Sequence, residues 1–234
     1  MLLTILNNMR IAGVDEAGRG PVIGPLVIGC VVYSEEKIHY LDQIGVDDSK
    51  TLSPRKREII AEKIKETCDN FEIYILTPEQ INKLHYQNHL TLNQMEERFF
   101  AEVLNSLKPH PDKIFLDACD TKEDRFGQTI GSMLSFKPKK VVSKHHGDSI
   151  FRIVGAGSIL AKTARDLEIQ RYKEIYGEIG SGYPSDPTTQ RFLYKYYKTH
   201  LKFPPIVRTW WKTAEDIQKK VNLERTQKKL SDFT

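Results

Sequence analysis

Apolar positions along this chain fall into short runs, and the spacing within them alternates between strand-like and helix-like. Ile11 to Val14 and Leu26 to Tyr33 are near-continuous apolar runs and predict strands over residues 10–16 and 25–33. The second is apolar enough to be buried on both faces. The two are expected to lie antiparallel across the Gly18–Pro25 connection. A polar loop from Gly45 to Leu52 follows. Ser53-Pro54 then has the form of an N-cap with proline in the first turn, and Ile60, Ile64 and Cys68 recur at helical spacing. Phe71 to Leu76 predicts a strand. Thr77-Pro78-Glu79-Gln80 and Thr91-x-x-Gln94 both have the spacing of a capping box, and Leu92, Met95, Phe99, Val103 and Leu107 stripe the helix behind the second.

Lys113 to Asp117 repeats the opening pattern, a short apolar strand ending in an acid. A helix over 124–134, a strand over 139–143 and a polar loop over 144–148 follow. A long helix is expected from Gly157 to Tyr176, with Leu160, Ala164 and Leu167 facing inward and Lys162, Arg165, Glu168 and Lys173 facing out. After the turn-rich stretch Gly177–Pro187, Asp186-Pro187 opens a helix bearing Phe192, Leu193, Tyr196 and Tyr197. Pro204-Pro205 breaks it, and a last helix runs from Lys212 to about Lys228. Strands alternating with helices make an α/β fold: a mixed sheet with an antiparallel start and parallel crossovers, flanked by helices, with a small helical C-terminal appendage. The expected division is 1–178 for the sheet domain and 179–234 for the helical region.

Composition narrows the class. With 234 residues, 39% of them hydrophobic, the chain can bury a core, and no run approaches a membrane span. Met1 to Leu6 is apolar but lacks a basic start and a small-residue cleavage site, so it predicts an edge strand or a ragged start rather than a signal peptide. Cys30, Cys68 and Cys119 form no C-x-x-C pair, which favours a reducing compartment, hence the cytoplasm, over a zinc or disulfide scaffold. Net charge is +4, and residues 181–234 hold eleven Lys/Arg against five Asp/Glu, so the basic excess sits at the C-terminal end. A basic end beside an acidic body suits a polyanion held by one part and processed by the other.

The acids carry the chemistry. Asp15 and Glu16 end the first strand and Asp117 ends another; Asp148 follows a third. If those strands are neighbours, about four negative charges converge at one sheet edge, which requires cations or raised carboxyl pKa values. Hard oxygen donors favour Mg²⁺ or Mn²⁺, and a pair of such ions is the usual apparatus for phosphodiester hydrolysis. His145 and His146 stand as alternative ligands or as a solvated loop, whereas Asp47, Asp48 and Asp120 read as turn or cap residues. Gly18-x-Gly20-x-x-x-Gly24 imitates a dinucleotide fingerprint with the wrong spacing and a strand where a helix is needed. Gly155 to Thr163 imitates a phosphate loop, with Ala161 in place of the glycine before the lysine. In the C-terminal part aromatics and bases interleave: Tyr194, Lys195, Tyr196, Tyr197 and Lys198, then Arg208, Trp210, Trp211 and Lys212. Bases there would hold phosphates while aromatics stack, although half of the helical aromatics should be core. Tyr183, between Gly182 and Pro184, is a stiffly held turn residue expected at the surface. Three functions remain open on these grounds: a metal-dependent nuclease, a non-catalytic nucleic-acid-binding module, and a nucleotide-phosphate hydrolase.

Asp15-Glu16-Ala17-Gly18-Arg19-Gly20, Asp48-Ser49-Lys50-Thr51-Leu52, Asp117-Ala118-Cys119-Asp120, Ser158-Ile159-Leu160-Ala161-Lys162 and Gly180 to Pro187, in this order, resemble type 2 ribonuclease H (ribonuclease HII). The last of these and Pro205-Ile206-Val207-Arg208 resemble its archaeal branch. The resemblance runs from about residue 10 to 215. It implies an RNase H-like fold and endonucleolytic cleavage of the RNA strand of RNA–DNA hybrids and of single ribonucleotides in duplex DNA. Cleavage would fall 5′ of the ribonucleotide and leave 3′-hydroxyl and 5′-phosphate ends, serving RNA primer removal and ribonucleotide excision. By motif position it implies that Asp15, Glu16, Asp117 and Asp148 hold two Mn²⁺ or Mg²⁺ ions and act as the catalytic acids. Gly18, Arg19 and Gly20 would read the ribose 2′-hydroxyl, and Tyr183 would stack under the next sugar. Lys50, Ser158 and Lys162 would hold flanking phosphates. The expected partner is nucleic acid, with no membrane and a monomeric chain. One departure is Gly147, where the family usually has alanine before the fourth acid.

Overall fold

The computed structural model describes residues 9–46 and 52–231. Met1–Leu6, Asp47, Asp48 and Lys50, on which the sequence raised expectations, lie outside them. Among the described residues five strands form one sheet: β1 (Arg10–Ala17), β2 (Leu26–Ser34), β3 (Asn70–Leu76), β4 (Lys113–Asp117) and β5 (Lys140–Lys144), in the order β3-β2-β1-β4-β5. β1 is central; it pairs antiparallel with β2 and parallel with β4, and β4 pairs parallel with β5. The helices are α1 (Tyr40–Gln43), α2 (Pro54–Thr67), α3 (Pro78–Asn88), α4 (Leu92–Ser106), α5 (Glu123–Met133), α6 (Gly147–Ile150), α7 (Arg152–Tyr176), α8 (Pro187–His200) and α9 (Lys212–Ser231). This is the mixed α/β architecture expected.

Local chemistry sets most of the boundaries. Ser53 caps α2 through Lys56 N at 3.3 Å. Thr77 and Thr91 each close a reciprocal capping box, with Gln80 and Gln94 respectively. Asp186 accepts from Thr188 N at 2.9 Å at the start of α8. These contacts satisfy orphan N–H groups that would otherwise fray the first turns.

Two compact units share the chain. One comprises residues 1–17, 27–75 and 91–164; the other comprises 18–26, 76–90 and 165–234. The first unit holds the sheet, whose core includes Ile11, Val31, Tyr33, Ile60, Ile64, Val154 and Ile159. The second has its own core of Val22, Ile23, Ile169, Ile179, Leu193, Ile206, Val207 and Ala214. The Gly18–Leu26 connection thus belongs to the second unit.

The long helix departs from its expected form. It starts at Arg152, five residues before Gly157. Leu167 is 53% exposed and Arg165 only 8%, the reverse of the inward and outward faces expected for them. The buried positions Ala161, Arg165 and Ile169 follow an i, i+4 row that the Leu160–Ala164–Leu167 phase misses. Within the first unit α7 lies directly on the sheet. A β-carbon on Gly13 would overlap the carbonyl of Ile153, and one on Gly29 that of Gly157. Asp15 pairs across the ladder with Gly29 and shares a strand face with Gly13, so this close approach sets α7 beside Asp15.

Candidate active site

The register of the parallel strands explains why the acids meet. Val14 pairs with Leu116 in the β1–β4 ladder. The next residues along, Asp15 and Asp117, therefore stand side by side at the same end of neighbouring strands and on the same face. Glu16 follows on the opposite face, yet its longer side chain brings an oxygen back to the strand end. One carboxylate oxygen each from Asp15, Glu16 and Asp117 falls within a common 4.8 Å.

Asp148, in α6, stands outside that 4.8 Å group but near enough for its charge to raise the carboxyl pKa of both Asp15 and Asp117. It is buried, with Lys162 Nζ at 3.8 Å. Gly147 N donates to Asp117 Oδ1 at 2.7 Å, which ties the Asp148 turn to the end of β4. His146, at φ 57°, precedes that turn in the left-handed region. Gly147 has backbone of β4 close by; a β-carbon there would stand 3.0 Å from Leu116 O. The glycine that departs from the family pattern therefore sits where space is tight.

Comparison with known proteins decides the reading. The ribonuclease HII family model matches residues 12–214. The chain belongs to the ribonuclease HII family. It is 52% identical over 225 residues to the ribonuclease HII of Thermococcus sibiricus, covering 96% of this chain and 98% of that one. The crystal structure of the ribonuclease H2 from Pyrococcus horikoshii OT3 superposes with a TM-score of 0.86 at 45% identity, covering 92% of this chain and 99% of that one. A structure of the PCNA:RNase HII complex from Archaeoglobus fulgidus matches at TM-score 0.78 and 36% identity, covering 88% and 96%. As a ribonuclease HII the protein is a metal-dependent ribonuclease H, a hydrolase.

The acid cluster of this ribonuclease HII suits a hard divalent ion. Burial, then the charges of Glu16 and Asp117, push the Asp15 carboxyl well above its usual range. The Ser158 hydroxyl, hydrogen-bonded to Asp15, opposes that rise. Burial and Glu16 push Asp117 up to about 6. Oxygen donors this close, half or wholly buried and mutually repelling, are relieved by a cation, and the donor set is right for one. Protons compete for the same oxygens, so lowering the pH through 6 should weaken divalent-ion binding by about tenfold per unit for each proton displaced. Titration of the metal-stripped protein with Mn²⁺ at pH 5 and 7.5, read by electron paramagnetic resonance, checks this. Equal affinities at the two pH values would mean that these carboxylates are not the ligands.

Other residues expected at the site are placed as follows. Ser158 is fully buried on Asp15, and Lys162 faces Asp148. His145 Nδ1 lies 3.3 Å from the Ala118 carbonyl oxygen, and no potential ligand group among the described residues includes either histidine. Asp120 is a turn residue, as expected: it accepts from Thr121 Oγ1 and Lys122 N and pairs with Arg125. In the second unit Gly18 takes φ 91°, and Arg19 and Gly20 follow towards the surface. Tyr183 is 45% exposed. A β-carbon on Gly20 would stand 3.6 Å from its ring, and the buried Arg165 lies 5.8 Å from the ring centroid. Gly182 O accepts from Val22 N and Ile23 N at 2.8 and 3.1 Å, which fastens the tyrosine turn to the glycine turn.

Two neighbours of the acids have no site role in the sequence analysis. Cys119 Sγ–H donates to Glu16 Oε2 at 3.0 Å, and Glu96 of α4, fully buried, joins Glu16 and Cys119 in a second group within 4.8 Å. Glu96 follows Met95 on the striped helix, and nothing in that spacing marks it. Arg208, expected on phosphates, is fully buried instead. Its position after Ile206-Val207 and before Trp210-Trp211, a lone charge among apolar residues, is the signal that could have shown it.

Proposed function

We propose that the protein cleaves the RNA strand of RNA–DNA hybrids and single ribonucleotides embedded in duplex DNA, 5′ of the ribonucleotide, leaving 3′-hydroxyl and 5′-phosphate ends. The observation that carries this reading is the meeting of Asp15, Glu16 and Asp117 at adjacent strand ends in a ribonuclease HII chain. Asp15, Glu16, Asp117 and Asp148 would hold two Mn²⁺ or Mg²⁺ ions. Bound there, the ions supply charge neutralisation at the phosphate and an activated water. Asp117 also keeps the Asp148 turn in place through the Gly147 N–H, and Ser158 orients the Asp15 carboxylate. Lys162 balances the buried charge of Asp148, and with Lys50 it would meet flanking phosphates.

Ribose recognition would belong to Gly18, Arg19 and Gly20, the residues next in the chain after Asp15-Glu16-Ala17. A 2′-hydroxyl both donates and accepts, so backbone groups at a turn without side chains can test for it. Tyr183 would stack on the following sugar. Residues 1–178 would then act as the catalytic domain and 179–234 as the helical substrate-binding region. Primer removal and ribonucleotide excision in the cytoplasm are the roles that follow. No helix among the described residues is long and apolar enough to cross a membrane. The chain would work as a monomer and would form a complex with PCNA, as the ribonuclease HII of Archaeoglobus fulgidus does. Gel filtration alone and with PCNA reads both points, and an unshifted mixture would remove the complex.

A DNA duplex carrying one ribonucleotide tests the function. With Mn²⁺ or Mg²⁺ it should be nicked once, at the 5′ side, and with EDTA not at all. A protein that shifts this duplex in a gel but never nicks it is a binding module. Tyr183→Ala should slow the nick by about ten- to hundredfold, the loss expected for one stacking contact, without changing Mn²⁺ affinity. An unchanged rate would remove the stacking role.

A further inference from the structure

The segment after the Pro204-Pro205 break runs antiparallel to the glycine turn. Gly24 N donates to Ile206 O at 3.0 Å, Arg208 N donates to Val22 O at 2.9 Å, and Ile23 and Val207 form the bridge between them. Asn82 of α3 locks this segment, giving Nδ2 to Val207 O at 2.8 Å and taking Thr209 N on Oδ1 at 3.0 Å. The short ladder delivers the Arg208 side chain into the turn. Its guanidinium donates to three carbonyls: Nε to Gly24 O at 3.0 Å, Nη1 to Arg19 O at 3.1 Å and Nη2 to Gly18 O at 2.6 Å. Trp211 Nε1 donates to Gly20 O at 3.1 Å, and the Trp211 ring lies 4.8 Å from the guanidinium carbon.

Three consecutive carbonyls, of Gly18, Arg19 and Gly20, are therefore committed to Arg208 and Trp211. In a trans peptide the N–H of the next residue points opposite to the C=O. The Arg19 and Gly20 N–H groups are accordingly turned away from the guanidinium, while Pro21 has no N–H to present. Gly20 and the exposed Tyr183 ring border one space on the outer side of the turn.

We propose that Arg208 is a positioning residue for ribose recognition: by holding the Gly18, Arg19 and Gly24 carbonyls from behind, it aims the Arg19 and Gly20 N–H groups at the 2′-hydroxyl. The inference rests on the reading of Gly18–Gly20 as the ribose contact. It also replaces the phosphate role first expected for Arg208, because a fully buried guanidinium does not meet a phosphate at the surface. A lysine cannot stand in, since one ammonium does not reproduce a planar three-way fork.

The test compares binding of two duplexes, one all DNA and one with a single ribonucleotide, in Ca²⁺ so that neither is cut. The ratio of the two affinities measures ribose recognition. Arg208→Gln and Arg208→Lys should each lower the ratio by about ten- to hundredfold, the loss expected when buried hydrogen bonds of a fixed turn are removed. Affinity for the all-DNA duplex and for Mn²⁺ should stay at wild-type values. Trp211→Phe should cause a smaller loss of the same kind, and it decides the matter if the Arg208 variants do not fold. A wild-type ratio in folded variants overturns the proposal, as does an equal loss on both duplexes, which would mark a general phosphate contact. Gly20→Ala separates the proposal from the reading beneath it, because its methyl group would enter the space beside Tyr183. If Gly20→Ala lowers the ratio and the Arg208 variants do not, only the positioning role fails. If none of them lowers it, the turn is not the ribose reader.

Discussion

Asp117→Asn should reduce cleavage of the single-ribonucleotide duplex by about a thousandfold or more, the scale on which a central electrostatic group contributes, while leaving duplex binding and the fold intact. The carboxamide keeps an oxygen for the Gly147 N–H, so the Asp148 turn retains its anchor. What it loses is one negative charge among three that share 4.8 Å. In metal-free protein that loss should also be stabilising, with a definite pH dependence. Asp117 is raised to about 6 in the folded chain, above its unfolded value of 3.8. The folded state therefore binds more protons between those limits, and wild-type stability falls as the pH rises through them. Above pH 6 the ionised wild type bears the full repulsion and Asn does not; below about pH 4 both side chains are neutral. The Tm difference between variant and wild type in EDTA should accordingly be positive at pH 8 and vanish near pH 4. Rapid-quench assays and thermal melts in EDTA at both pH values check the two halves separately. Retention of most of the activity would mean that the acid cluster is not the reacting site.

The strand-end acids are legible in the sequence, whereas the buried arginines are not. Asp15 and Asp117 were readable because each ends an apolar run, and the parallel register does the rest. The capping boxes at Thr77 and Thr91 were readable because all their partners lie within four residues. Arg165 and Leu167 were assigned to the wrong faces of α7. The burial of an arginine depends on what surrounds it in space, here Gly18, Gly24 and the Tyr183 ring, none of which is near it in sequence. Arg208 is the same case, since its carbonyl partners lie more than 180 residues away. Arg165 was expected at the solvent face and Arg208 on phosphates, and both are instead buried against the glycine turn. Gly13 and Gly29 were also passed over as strand residues, although glycine inside an apolar strand is itself a mark of close backbone approach.

That last signal leads to the largest stability effect expected outside the acids. Gly29→Ala should destabilise the protein by about 3 kcal/mol, the upper range for forcing a methyl group into filled space, and lower its Tm by about 10 °C. Its backbone lies in β2 and alanine could adopt it, so conformation is not the obstacle. The obstacle is the carbonyl of Gly157, which a β-carbon would overlap, with Ala161 N 2.8 Å away. These are backbone atoms of α7 and cannot swing aside as a side chain would, so the helix must move off the sheet. Ser158 follows Gly157 directly, and Gly29 pairs with Asp15 across the ladder. The displacement therefore reaches the hydrogen bond between Ser158 and the Asp15 carboxylate. Cleavage should fall below the level that unfolded protein alone explains, even at temperatures where the variant is fully folded. Gly131→Ala is the matched control. It lies within α5, and its β-carbon would meet only Val141 Cγ2 at an ordinary 3.9 Å. Helix propensity should make that change neutral or stabilising by about 0.5–1 kcal/mol. Gly29→Ala should thus melt below wild type and Gly131→Ala at or above it, and single-turnover rates should fall for Gly29→Ala alone. If Gly29→Ala melts with wild type, α7 is not held against the sheet at this point, and the placement of Ser158 beside Asp15 loses its structural cause.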